Sequence, residues 1–220
     1  MRVVMLGTGT DVGKTYVTAL LARGLRAATS VLALKPIESG VADASALGDA
    51  GTIAEAAGHA ARLSPWRLRR PVSPHLAARE QGVSLEIAEV VRWVQAAELS
   101  APATFTLVET AGGAFSPLGL GTTNVELALA LEPALWILVG PDALGVLHDV
   151  TATLRALPRA PDAVLLSGAR PADQSTGSNA AELKALDICE VLETLSSGAQ
   201  QATTTVQWLL DRMTKKSPQI

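Results

Sequence analysis

Short apolar runs alternate with helix-like segments along most of this chain, and that alternation limits the folds open to it more than any other feature. "RVVML" (2–6), "VLALK" (31–35), "TFTLVE" (104–109), "ALWILVG" (134–140) and "AVLLSG" (163–168) are β-rich runs, apolar on both faces. Between them, "GKTYVTALLARGLRAA" (13–28), "AGTIAEAAG" (50–58), "SLEIAEVVRWVQAAE" (84–98) and "LGVLHDVTATLRAL" (144–157) carry apolar residues at helical spacing, and "TTVQWLLDRM" (204–213) repeats the pattern near the carboxyl end. Strands buried on both faces and separated by helices predict an α/β fold with a mostly parallel central sheet and helices on both faces. With no polar linker between separate cores, residues 1–220 form one expected domain, its pattern less legible beyond about residue 170.

Sheets of this kind bind ligands at the carboxyl ends of their strands, so the residues that follow each strand are the candidates for chemistry. They are "GTGTDVGKT", "KPIESG", "ETAGG", "GPDALG" and "SGARP". The first has the parts of a phosphate-binding loop: glycines that let backbone N–H groups turn inward, Lys14 for the outer phosphates and Thr15 with a hydroxyl for Mg²⁺. Its glycines, Gly7 and Gly13, stand one position further apart than in the common form of the loop. Glu109 ends a strand just before "TAGG", where a carboxylate can hold Mg²⁺ directly or through water. Lys35 closes the second strand, so its ammonium is expected in the same crevice as Lys14; two converging lysines call for a polyanionic ligand. Asp49 stands ahead of a short helix and fits a cap as well as a ligand, while Ser73 and Pro74 fit the cap and first position of another helix.

Composition narrows the function classes. Hydrophobic residues make up 48% and charged residues 18%, enough for a substantial core in a soluble globular protein. A net charge of −3 and a single short basic run, "RLRR" at 67–70, give little electrostatic support for nucleic-acid binding. The lone Cys189 forms no internal disulfide, and no apolar stretch approaches the roughly 20 residues of a membrane span. A cytoplasmic protein without membrane or nucleic-acid partners is the expectation.

Taken together, "GTGTDVGKT", "KPIESG", "GDAGTIAEA", "PVSPHLAAREQG" and "LVETAGGAFSPL" resemble the dethiobiotin synthetases, ATP-dependent carboxylases of biotin synthesis among the P-loop NTPases. The blocks span residues 5–118 and extend more weakly to about 168, and the family's loop has the same five residues between its glycines. The resemblance implies a ligase that joins CO₂ (or bicarbonate) to 7,8-diaminopelargonic acid with ATP as co-substrate and Mg²⁺ as cofactor, in a homodimer. It implies that Lys14 and Lys35 are catalytic and that Thr15, Asp49 and Glu109 hold the metal. Thr10, Asp11, Val12, Gly13, Lys14, Thr15, Tyr16, Asp49, Glu109, Ser167 and Gly168 match positions at the nucleotide; Thr10, Ser39, Ser73, Gly112 and Gly113 match positions at the substrate. Departures from the family pattern are Gly9 in place of an Asp, Asp11 where Glu is common, His148 where Asn is usual, and Ser167–Gly168 where an Asn-Asp pair reads adenine. Two rival readings are a partition or metal-carrier ATPase, whose loop carries a second lysine that this one lacks, and a nucleotide-binding regulatory module without turnover.

Overall fold

The structure, a computed structural model, describes residues 1–41, 43 and 46–215, the side chain of Lys215 excepted. The first half of the chain forms β1 (Arg2–Gly7), α1 (Lys14–Arg26), β2 (Val31–Leu34), β3 (Ile37–Ser39), α2 (Gly48–Ala57), β4 (Trp66–Leu68), α3 (Pro74–Gln81), α4 (Ile87–Ser100) and β5 (Phe105–Glu109). The second half forms β6 (Pro117–Gly119), β7 (Thr122–Thr123), α5 (Asn124–Ala130), β8 (Ala134–Pro141), α6 (Val146–Ala156), β9 (Ala163–Ser167), α7 (Asn179–Ala185), β10 (Glu193–Leu195) and α8 (Thr203–Lys215).

The main sheet has six strands in the order β10-β9-β8-β1-β5-β2, and every pairing in it is parallel. β1 sits between β5 and β8, where the chain stops building the sheet in one direction and starts in the other. A crevice opens at such a reversal because the loops leaving adjacent strands diverge to opposite sides. Register then sets the depth of each residue in it. Met5 lies beside Glu109 and Gly7 beside Val139, so Glu109 ends its strand under the loop that leaves β1.

Side chains alternate across the sheet with period two, and both faces are apolar. Along β1, Val4 and Leu6 enter one core with Val108, Trp136 and Leu138, closed by Val90 and Val94 of α4, Leu127 of α5, and Val146 and Val150 of α6. Val3 and Met5 enter the other with Leu107, Ile137 and Leu165, closed by Leu20, Leu21 and Leu25 of α1, Ile53 of α2 and Leu209 of α8. Each fully buried Leu or Val contributes roughly 1.5–3 kcal/mol relative to exposure. These two layers hold the sheet rigid beneath the loops.

Several elements that the periodicity does not predict lie outside this frame, though β10, also unpredicted, is the edge strand of the main sheet. β3 and β4 form a separate parallel pair, and β6 with β7 a short antiparallel one. α5 begins with a capping box, the Thr123 hydroxyl accepting from the helix backbone and the Glu126 carboxylate accepting from Thr123 N–H. Asp49 is not the cap of α2: Leu47 occupies that position, and Asp49 stands in the first turn. Ser73 does occupy the cap position of α3, with Pro74 next, but its hydroxyl makes no cap hydrogen bond and lies 3.1 Å from His75 Nδ1 instead. Among the described residues, no helix is long and apolar enough to cross a membrane.

Candidate active site

The loop between β1 and α1 is held from several sides. Thr8 N–H donates to Val139 of β8 at 2.9 Å, and Ala114 N–H donates to Gly7 at 2.7 Å. Gly13 has φ of 88°, and a Cβ there would lie 2.1 Å from Ser167 Oγ, so both backbone and space demand glycine. Asp11 takes a left-handed φ of 54°, a conformation that Asp tolerates better than most residues. Arg170, just after β9, donates to the carbonyls of Thr10 and Asp11, both at 3.1 Å. In a trans peptide the N–H points opposite to the C=O, so this clamp turns the following amide hydrogens away from Arg170. Lys14 is buried and donates to Gly9 O at 3.3 Å. Burial pulls its ammonium down to about 8; Glu109 opposes that change and the like charge of Lys35 adds to it.

Four side chains from four segments meet beside Lys14. Lys35 donates to Glu109 Oε1 at 2.8 Å and pairs with Asp49 Oδ2; Thr15 donates to the same Glu109 oxygen at 2.7 Å. Burial by itself lowers the Lys35 ammonium, but the charges of Glu109 and Asp49 and their hydrogen bonds raise it well above the usual lysine range. Asp49 shows the mirror effect: burial raises its carboxyl, and the Lys35 ammonium with hydrogen bonds from Lys35 and Thr15 outweighs that, so the net change is downward. Lys35 is therefore a held cation.

A cavity of about 630 Å³ opens over this cluster. Its wall includes Thr10 to Thr15 of the loop, Lys35, Glu38, Ser39, Asp49, Pro71 to Pro74, Glu109, Ala111, Gly112, Ser116 and Ala169. The Ser39 hydroxyl is buried there without a hydrogen-bond partner. Gly112, at φ 72°, leaves no space for a Cβ beside Ser116 Oγ, and that hydroxyl accepts from Gly113 N–H at 2.8 Å. Gly113 itself packs on the loop, where a Cβ would come within 3.0 Å of Gly9 Cα. Asn124, at the start of α5, donates to the carbonyls of Ala111 and Gly113 and fixes this turn.

The donor set fits a hard divalent cation. Glu109 Oε2 is buried and has no hydrogen-bond partner, Thr15 already touches the other oxygen of that carboxylate, and Asp49 adds a second charged oxygen donor. Two carboxylates and one hydroxyl leave coordination positions for phosphate oxygens and water, as Mg²⁺ requires.

Residues 1–197 match the model of a family described as an AAA domain. The chain is 38% identical over 158 residues to the ATP-dependent dethiobiotin synthetase BioD of Methylobacterium nodulans, covering 66% of this chain and 70% of that protein. It is 36% identical over 180 residues to the enzyme of the same name from Rhodopseudomonas palustris, covering 80% and 77%. The chain belongs to the dethiobiotin synthetase family. Members carrying that name are ATP-dependent ligases. Solved structures of lower identity share the fold alone: a ParA family ATPase from Chlorobium tepidum (TM-score 0.53, 14% identity, 95% of this chain and 97% of that one), and FlhF complexed with GMPPNP/Mg²⁺ (TM-score 0.52, 15% identity, 94% and 73%).

In this dethiobiotin synthetase family member, the cavity wall gathers Thr10, Asp11, Val12, Gly13, Lys14, Thr15, Lys35, Ser39, Asp49, Ser73, Glu109 and Gly112 from the sequence-derived set. Ser167 instead lies buried beneath Gly13, with its hydroxyl accepting from Ala169 N–H at 3.2 Å. Gly168 packs against the backbone of residues 195–197, and Ala169 is the residue of this segment that reaches the cavity. The Tyr16 hydroxyl turns away to the carbonyls of Ser196 and Ala199. Four residues with evident roles in the site escaped the sequence reading: Glu38, Ser116, Asn124 and Arg170. A carboxylate next to Ser39 in "KPIES" was the signal for Glu38; Arg170 gave none, because its partners are loop carbonyls 159 and 160 positions away.

Proposed function

We propose that this protein catalyses closure of a cyclic urea on 7,8-diaminopelargonic acid, using CO₂ and ATP and releasing dethiobiotin, ADP and phosphate. The observation that supports the reading most directly is the pairing of a phosphate-binding loop with a second buried lysine, Lys35, in a cavity large enough for a nucleotide tail and a small diamine.

In the first step one amine nitrogen attacks the carbon of CO₂ and loses a proton, giving a carbamate. A carbamate oxygen then attacks the γ-phosphorus as the bond to the ADP oxygen breaks. The second amine attacks the carbamoyl carbon, phosphate leaves with its oxygen, and a proton is released as the ring closes. Every intermediate is anionic where it meets the triphosphate, so the barrier is largely electrostatic and positional. Lys14 and the loop amides hold the outer phosphates, and Lys35 places a permanent positive charge between them and the carbamate. Ser39 and Ser73 stand at the wall where a diamine must lie to reach that point. Thr15, Asp49 and Glu109 would hold Mg²⁺, which neutralises phosphate charge when bound. No covalent bond to the protein is needed.

The test is ADP release by the purified protein with ATP, Mg²⁺ and bicarbonate, with and without the diamine, and mass detection of the cyclic urea. Diamine-dependent ADP release with product of the expected mass is the predicted result. ADP release indifferent to the diamine would favour a partition-type ATPase, and nucleotide binding without turnover a regulatory module.

A further inference from the structure

Asp49 reaches the cluster from the first turn of α2. Its cap residue, Leu47, makes no side-chain cap hydrogen bond. The acceptor comes from another element. Glu38 of β3 receives the Asp49 N–H on Oε1 at 2.6 Å. Glu38 is only 5% exposed, and its strand register places it directly beside Arg67 of β4, whose guanidinium Nε lies 3.8 Å from the other carboxylate oxygen. Gly48 completes the fit: it takes φ 56°, and a Cβ there would lie 2.4 Å from Glu38 Oε1. The contact thus exists because position 48 has no side chain.

From these contacts we infer that Glu38 is a positioning residue for the metal and phosphate chemistry: it caps α2 from a neighbouring strand and so sets where the Asp49 carboxylate stands. The inference rests on the assignment of Asp49 to the metal under the proposed function. A continuous path runs from Arg67 through Glu38, the Asp49 amide and the Asp49 carboxylate to Lys35, Glu109 and Thr15. Outer partners of metal ligands commonly change metal affinity by about 10–100-fold when removed, because the ligand loses its orientation rather than its chemistry.

Length and charge can be separated at this residue. Glu38→Gln keeps an acceptor oxygen at the same reach; Glu38→Asp keeps the charge but withdraws it by one methylene; Glu38→Ala removes both. Each variant is titrated with Mg²⁺ twice, once by calorimetry of ADP binding and once by diamine-dependent turnover, alongside thermal melts. The expected result is that Glu38→Asp and Glu38→Ala raise the half-saturating Mg²⁺ concentration by about tenfold or more. Metal-free ADP affinity should stay within about threefold of wild type, and Glu38→Gln should recover most of the Mg²⁺ response. If the alanine variant does not fold, the aspartate variant carries the same comparison. Lowered melting temperature with an unchanged Mg²⁺ midpoint would overturn the inference and leave Glu38 a purely structural cap, as would a glutamine variant as impaired as the aspartate. Wild-type protein that binds ADP with Mg²⁺ but shows no diamine-dependent turnover would overturn the proposed function, and the ADP titrations would still decide the role of Glu38.

Discussion

The Thr15 hydroxyl donates to Glu109 Oε1 at 2.7 Å, joining the first turn of α1 to the last residue of β5 across 94 positions of sequence. The same oxygen receives Lys35, so a hydroxyl from α1 and an ammonium from the end of β2 converge on one carboxylate, whose other oxygen is buried and unpartnered.

If that free oxygen and Asp49 serve one metal, Glu109→Gln and Asp49→Asn should each weaken Mg²⁺ activation. The double variant should fall well short of the sum of the two effects, because both act through one ion. Mg²⁺ titration of turnover for the two singles and the double measures the coupling. Additive losses would assign the two carboxylates to separate tasks.

Lys35→Gln should reduce turnover by about 10²–10³-fold, the scale for one group that stabilises developing charge, with ADP affinity within about threefold of wild type. It should also lower stability, since Glu109 is fully buried and loses its cationic partner; about 3–5 kcal/mol is typical when one member of a buried pair is removed. Steady-state kinetics, calorimetry and denaturant unfolding of the one variant read all three quantities.

Gly13→Ala tests how far the Ser167 contact alone accounts for the glycine. The added methyl would lie 2.1 Å from Ser167 Oγ and 2.8 Å from Ala169 Cβ; Ser167→Gly in the same chain removes the nearer contact, while the Ala169 contact and φ 88° remain unfavourable for alanine. Nucleotide affinity should fall in the single variant and recover only in part in the double. Full recovery would show that the strained backbone adds nothing to the loop.

Base selectivity should be low. Ser167 is buried under the loop and Gly168 is packed on residues 195–197, so neither side chain position offers a donor and acceptor pair to a purine. ATP, GTP, CTP and UTP should then support turnover with kcat/KM values within about tenfold, a spread of roughly 1.4 kcal/mol. A thousandfold preference for ATP would mean that another part of the chain reads the base.

Much of this was legible because it depends on local pattern. The doubly apolar strands dictated a parallel sheet, and the strand-end rule pointed to Lys14, Thr15, Lys35 and Glu109 as neighbours before any contact was known. The remainder depends on what lies across space. Local pattern left Asp49 between cap and ligand; in the structure the carboxylate of Glu38 accepts its amide, and the Asp49 side chain pairs with Lys35. β10 escaped notice because three residues with one buried side chain carry no periodic signal, and β3 with β4 for the same reason of length. The capping box of α5 is legible in the sequence as Thr123 and Glu126 three residues apart.

The position of β1 between β5 and β8 also governs when the site can come into being during folding. Lys35 and Glu109 are 74 residues apart and meet only when β2 lies against β5, which in turn pairs with β1. The phosphate-binding loop, Lys35, Asp49 and Glu109 line one cavity from four separate segments, so binding of a nucleotide there is linked to assembly of the sheet that carries them. By mass action, a nucleotide at one hundred times its Kd would deepen the native well by about 2.7 kcal/mol, and that gain would be felt as far away as the edge strand β10. In a protein built this way, the concentration of its own co-substrate acts as a determinant of how long the fold survives.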